Sequence, residues 1–423
     1  MNSDTPSSDG HDTSEVPTDA SDASTDAIEV PTDVPLAIEA PASGPIEESI
    51  RIRITGAQPG APVEFTASLE DDSEHRWRSH AAFMADDSGT VDLARAAPED
   101  GTWSDAEAMA WLWSMQTDAD ARSAQFDAPA LQITLRAATD TSTASRTIER
   151  ERYDPDVTSL DVAHDDVVGT LFAPPDGGPA PGLIELHGAG GRRSHGTARR
   201  LATHGFTVLS LTYFGDHPTL PDELANVDLE YVDTAARWLL DHPWVSSDRL
   251  GLVGVSRGAE LALLLAARRD WPGPIVSYAG SGVPWDTPSD EPAWLDDGDP
   301  VPHITADSHP NATALDEKPL ADRMPPIEQA NGPILLLSGG SDPVWDSRRL
   351  SQVVVDRLDD HDFAHDYQHL TFDDVGHLIG IPYSPLSGFG DYEQMQATAH
   401  ASEETWPVVL DYLGRGLDEW ADD

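Results

Sequence analysis

The chain has 423 residues, 39% of them hydrophobic, enough for a sizeable core and too much for wholesale disorder. Its 25 Lys and Arg against 76 Asp and Glu leave a formal net charge of −51, which makes nucleic acid and anionic membranes poor partners. With no cysteine, disulfides, thiolate metal sites and a Cys nucleophile are excluded.

The acidity runs through every region, and Lys318 is the only lysine. Such a surface suits concentrated salt, where a Debye length of about 3 Å at 1 M screens self-repulsion. The chain therefore reads as a protein of an extreme halophile. No apolar run reaches the ~18 residues of a membrane span. The start MNSDTPSSDG lacks a basic segment followed by an apolar one, so a cytoplasmic location is the default expectation.

Residues 1–45 are rich in Ser, Thr, Asp, Pro and Ala, with no aromatic residue, Lys or Arg. Such a stretch buries too little apolar surface to offset its ordering entropy, which predicts a disordered acidic leader. From 46 to 155 the pattern predicts a small β-sandwich domain. Alternating apolar and polar residues mark strands at 50–55, 62–69, 76–85 and 131–136, separated by Gly and Pro clusters. Trp103, Met109, Trp111, Trp113 and Met115 form an aromatic and Met cluster. Such a cluster packs a core or a domain boundary, or alternatively walls a substrate site.

Residues 156–423 read as a second, α/β domain. Apolar strands are predicted at 183–187, 206–212, 250–255, 274–279 and 333–338, with helices at 194–204, 227–241 and 257–269. Strands of this kind alternating with helices imply a parallel sheet covered on both faces. An acidic, Pro-rich insertion at about 281–330 interrupts the rhythm, and one or two helices at 392–420 close the domain.

Gly254-Val255-Ser256-Arg257-Gly258 sits between an apolar strand and an apolar helix. A strand–elbow–helix setting exposes the Ser hydroxyl and aims backbone N–H groups at a developing oxyanion. A serine needs a base, and in this fold an acid and then a His follow it along the chain. Asp342, on the Gly-rich turn after strand 333–338, is the candidate acid, with Asp346 as the alternative. His377 follows Gly376 after the strand-like stretch 366–372 and is the candidate base. Backbone N–H groups of Arg257 and of Ala189, or else Gly190, in the loop His187-Gly188-Ala189-Gly190-Gly191 are the expected oxyanion donors. The expected fold is thus an α/β-hydrolase fold with a smaller N-terminal β-sandwich domain.

Several segments resemble the family of acyl-CoA thioesterases and bile acid-CoA:amino acid N-acyltransferases. They are PGLIELHGAGG (181–191), LEYVDTAARWLLDHPWV (229–245), GLVGVSRGAELALLLA (251–266), GGSDPVW (339–345), GHLIGIPY (376–383) and MAWLWSM (109–115). The resemblance implies acyl-CoA as a small-molecule substrate and the triad Ser256, Asp342 and His377. It implies no metal and no cofactor. Members that conjugate amino acids carry a Cys at the nucleophile, so Ser256 favours hydrolysis over transfer to an amine. A general carboxylesterase or dienelactone-hydrolase-like enzyme is the competing expectation. Arg192, Arg193, Arg199 and Arg200, just after the oxyanion loop, either offset the repulsion of CoA phosphates or are ordinary helix cations. A monomer or small homo-oligomer is expected.

Overall fold

The computed structural model describes residues 35–118, 124, 126–164, 167–191, 195–215, 217–305, 320, 322–380, 382–386 and 390–418. The N-terminal region runs through β1 (Ala37–Glu39), β2 (Arg53–Thr55), β3 (Pro62–Glu70), β4 (Arg76–Met84), β5 (Val91–Asp92) and β6 (Asp100–Gly101). It continues with α1 (Ala110–Trp113), β7 (Gln116–Thr117), β8 (Ala130–Ala138) and β9 (Thr143–Glu151). One sheet has the order β1-β2-β5, and the other the order β6-β4-β3-β8-β9 with β7 against β4. In β3 alternate residues turn inward, so Val63, Phe65, Ala67 and Leu69 are buried while Pro62, Glu64 and Glu70 face water. These side chains share one core with Ile38, Ile54 and Val91 of the smaller sheet.

The structure shortens the expected leader. Residues 35–45 belong to the fold: β1 pairs with β2, Leu36 and Ile38 are buried, and Glu149 N–H donates to the Ala42 carbonyl at 2.8 Å. Two apolar residues spaced for one strand face are too short a signal beside the acidic stretch that precedes them. Residues 1–34 of the expected leader lie outside the described residues.

The second region comprises β10 (Thr158–His164), β11 (Val167–Ala173), β12 (Ala180–Leu186), α2 (His195–Thr203), β13 (Thr207–Thr212), β14 (Val227–Asp228) and α3 (Leu229–Leu240). After these come β15 (Val245–Val255), α4 (Arg257–Ala266), β16 (Pro272–Tyr278), β17 (Trp294–Asp296), β18 (Asp299–Pro300), β19 (Ile334–Gly339), α5 (Ser347–Asp360), β20 (Tyr367–Phe372) and α6 (Tyr392–Asp418). The large sheet has the order β10-β11-β13-β12-β15-β16-β19-β20, parallel from β13 to β20 and antiparallel at β10 and β11. Successive strand residues feed opposite cores. Ile184, Leu209 and Leu252 pack on the face carrying α3 and α4, while Leu183, Val208 and Val253 pack on the face carrying α2 and α6.

Helix α6 serves two cores. Its start places Met395 and Ala399 in the N-terminal core, and its later turns place Trp406, Val409 and Leu413 against the large sheet. The described part of the expected insertion is packed. Trp294 in β17 pairs with Val227 of β14, and Val283, Trp285 and Ile304 are buried. Residues 306–319 of that insertion lie outside the described residues. Among the described residues no helix is long and apolar enough to cross a membrane.

Candidate active site

Ser256 stands between the end of β15 and the start of α4, with φ 56° and ψ −118°. A left-handed conformation at a non-glycine residue costs about 1–3 kcal/mol, so its surroundings must impose it. Ser256 N–H donates to the Tyr278 carbonyl at 2.8 Å, and the Ser256 carbonyl accepts from Ala259 and Glu260 at 3.0 and 3.1 Å. The flanking glycines admit this turn. A Cβ on Gly254 would lie 2.4 Å from the Gly258 carbonyl oxygen, and one on Gly258 would lie 2.1 Å from the Leu186 carbonyl oxygen.

The loop after β12 passes directly beside the nucleophile candidate. A Cβ on Gly188 would lie 3.3 Å from the Ser256 Cβ. Gly191 N–H closes this turn on the Gly188 carbonyl at 3.1 Å, leaving Ala189 and Gly190 exposed. Arg257 N–H opens α4, where the helix dipole favours negative charge. His187 is buried and stacks on Tyr213 with ring centroids 4.1 Å apart.

Two strands along, Asp342 and His377 meet. His377 Nδ1 lies 2.8 Å from Asp342 Oδ2, and both side chains are largely withdrawn from water. Asp342 Oδ1 accepts from the Val344 and Trp345 N–H groups at 2.9 and 3.3 Å. An ionised carboxylate only accepts, so Nδ1 carries the proton and Nε2 is left as the basic nitrogen. The two loops are fastened backbone to backbone: Gly340 N–H donates to Phe372 at 2.8 Å and Ser341 N–H to Val375 at 3.0 Å. A Cβ on Gly339 would lie 2.2 Å from the Val375 and Gly376 carbonyl oxygens, which is why a Gly-rich turn stands here. Trp345 meets the His377 ring edge-on at 6.1 Å. Asp346, the alternative acid, is instead the N-cap of α5 and accepts from Arg349 N–H at 3.1 Å. Among the described residues Ser256 and His377 are not hydrogen-bonded to each other; such bonds are commonly long before substrate binds.

Sequence reasoning missed Glu260. It is buried in the first turn of α4 and accepts from Arg257 Nη1 at 3.0 Å, Trp294 Nε1 at 2.6 Å and Trp285 N–H at 3.2 Å. Burial pushes its carboxyl up to about 7, against the pull of Arg257. Arg257 Nη2 also donates to the Trp285 carbonyl at 2.8 Å. The pair thereby ties the elbow to the packed insertion.

Two expected contributions change. Arg200 is buried and donates to the Arg152 carbonyl, and Arg199 stacks over Tyr153, so neither is a free surface cation for phosphate. Arg192 and Arg193 lie outside the described residues. The cluster Trp103, Met109, Trp111, Trp113 and Met115 is buried in the N-terminal core. A cavity of about 410 Å³ lies beside the site, and none of the five lines it. Ile46, Phe126 and Leu131 line it from the N-terminal region, and Gly254, Val255, Leu378 and Trp406 from the other; Val255 and Leu378 are the chain neighbours of Ser256 and His377, which do not themselves line it.

A mixed eight-stranded sheet, a strand–Ser–helix elbow and an Asp–His pair on later strands together define an α/β-hydrolase fold. The model for the Acyl-CoA thioester hydrolase/BAAT N-terminal region matches residues 47–164, and that for the BAAT / Acyl-CoA thioester hydrolase C terminal matches residues 227–419. The chain belongs to this acyl-CoA thioester hydrolase/BAAT family. Acyl-coenzyme A thioesterase 6 of Mus musculus is 31% identical over 363 residues, covering 80% of this chain and 84% of that protein. Bile acid-CoA:amino acid N-acyltransferase of Homo sapiens is 30% identical over 407 residues, covering 89% and 96%. Peroxisomal succinyl-coenzyme A thioesterase of Mus musculus is 29% identical over 405 residues, covering 88% and 94%.

Proposed function

We propose that this protein hydrolyses fatty acyl-CoA to free fatty acid and CoA through an acyl-serine intermediate. Ser256 Oγ attacks the thioester carbonyl while His377 Nε2 takes its proton. Asp342 holds the Nδ1–H and stabilises the imidazolium. Backbone N–H groups of Arg257 and Ala189, with Gly190 as the alternative second donor, stabilise the oxyanion. His377 returns the proton to the departing CoA thiolate sulfur, which leaves as the thiol. Water, activated by the same imidazole, then cleaves the acyl ester. The observation that carries this reading is the 2.8 Å His377–Asp342 hydrogen bond, which leaves Nε2 free to act as base. The mostly apolar cavity lined by Val255 and Leu378, the chain neighbours of Ser256 and His377, supports this reading as room for an acyl group. A serine ester is aminolysed less readily than a cysteine thioester, so water is the favoured second nucleophile.

Assays with palmitoyl-CoA and p-nitrophenyl esters in concentrated salt test the reaction. CoA release is expected from the thioester and is expected to vanish in Ser256→Ala. Full activity in that variant, or no CoA release at any chain length, would refute it. Acyl-glycine or acyl-taurine as the main product would assign the transferase reaction instead.

A further inference from the structure

We propose that Arg152 is an anion-recognition group of the cavity, and that it binds either a carboxylate at the far end of the acyl group or a phosphate of CoA. The choice between these two sources rests on the acyl-CoA reading above. Arg152 follows β9 and lines the cavity together with Phe126, Thr197 and Gly254. Only one of its terminal nitrogens is committed. Nη1 donates to the carbonyls of Phe126 and Ala128 at 2.7 and 3.0 Å. The guanidinium packs near the Phe126 and Tyr153 rings, 5.6 and 5.9 Å from their centroids. These contacts fix the group in place. Nη2 and Nε make no hydrogen bond, and no carboxylate pairs with Arg152 within 4.0 Å, among the described residues.

Several withdrawn guanidinium groups do have acidic partners: Arg257 has Glu260, Arg269 has Asp233 and Asp296, Arg357 has Glu328, and Arg200 has Glu47. Arg150, buried among the Pro45 and Glu48 carbonyls, has none either among the described residues. Asp72 and Asp127 act on Arg152 only from a distance, and Arg199 repels it. Burial pulls its pKa down, yet an arginine stays charged at neutral pH. A partly desolvated cation with no counterion among the described residues is stabilised by any anion that reaches it. The acidic side chain lining the cavity among the described residues is Glu185, which accepts from the Ser210 hydroxyl at 2.6 Å on the sheet side.

The test compares glutaryl-CoA, pentanoyl-CoA and the two matching pantetheine thioesters, which lack the phosphates. If Arg152 reads a carboxylate, Arg152→Gln lowers kcat/KM about tenfold or more on both glutaryl substrates and leaves both pentanoyl substrates unchanged. If it reads a phosphate, both CoA thioesters fall by that factor and both pantetheine thioesters hold. Arg152→Lys keeps the charge and is expected to lose less than Arg152→Gln. Equal losses in the two variants overturn the proposal. So does a change within about twofold on all four substrates, or a loss on pentanoyl-pantetheine as large as on the others. Thermal melting of each variant separates these effects from misfolding. Calorimetric titration of glutarate and of CoA needs no turnover. At least one is expected to bind the wild type, and about tenfold more weakly to Arg152→Gln. Such binding without thioester hydrolysis would sink the proposed reaction and leave the anion site standing; no binding of either compound overturns the site.

Discussion

Asp342 divides its carboxylate between two tasks. One oxygen holds the turn through Val344 and Trp345, and the other holds the His377 ring. An amide there keeps an acceptor for the turn but presents an N–H to the ring, which turns the imidazole to the wrong tautomer. Asp342→Asn is therefore expected to stay folded and to lose about 10⁴-fold in kcat, as wrong-tautomer variants of such triads do. Steady-state kinetics with acyl-CoA checks this, and a loss below about tenfold would remove Asp342 from the proposed mechanism. Asp342 was readable from the sequence because its position after a strand, on a Gly-rich turn, restricts what it can do. Glu260 was not. In the first turn of α4 it reads as an ordinary charge at a helix N-terminus. Its tryptophan partners lie 25 and 34 residues further on, in a stretch whose acidic composition suggested a loop.

Among the elements, the elbow between β15 and α4 depends on contact with β12. Gly258 lies so close to the Leu186 carbonyl that a methyl group cannot fit without moving backbone. Gly258→Ala is expected to displace the start of α4, lowering the melting temperature and abolishing activity together. Gly190 is a suitable control, since a Cβ there meets nothing within 4 Å. Gly190→Ala is expected to leave the melting temperature within a few degrees of wild type. Comparable destabilisation by both substitutions would contradict the packing argument. The central strands were readable because burial on both faces demands continuous apolar runs, as in β13 and β19. The hairpin of β10 and β11 was not recognised. Strand β10 (TSLDVAH) lies at the sheet edge, where polar residues are tolerated and the pattern weakens.

Across the whole molecule, the N-terminal region is joined to α6 by side chains that titrate. His400 Nε2 lies 2.9 Å from Glu107 Oε1, and Glu107 also accepts from Trp113 Nε1 at 2.8 Å and from Gln396 at 3.2 Å. The hydrogen bond to Glu107 raises the His400 pKa above its ordinary 6.5. Glu107 is lowered from 4.5, because hydrogen bonds led by His400 outweigh its desolvation. A raised histidine contributes fully below 6.5 and loses its contribution as pH rises through the raised value. A lowered carboxylate contributes above 4.5 and loses its contribution as pH falls through the lowered value. His400→Ala is thus expected to lower the melting temperature more near about pH 6 than near about pH 9, by a small margin because the ring is half exposed. Equal shifts at both pH values would show that the pair is not charged in the fold. The hydrophobic pattern marks strands and helices one by one, but these cross-links pair residues nearly 300 positions apart, beyond the reach of any local pattern.

Because α6 contributes side chains to both cores, the chain has no clean seam. A cut anywhere before Tyr392 strands Met395 and Ala399 away from the N-terminal core they help fill. Neither region can be traded for a relative's counterpart as a self-contained module. Any exchange must carry the closing helix along with the N-terminal sheets, and then answer for its grip on the large sheet as well.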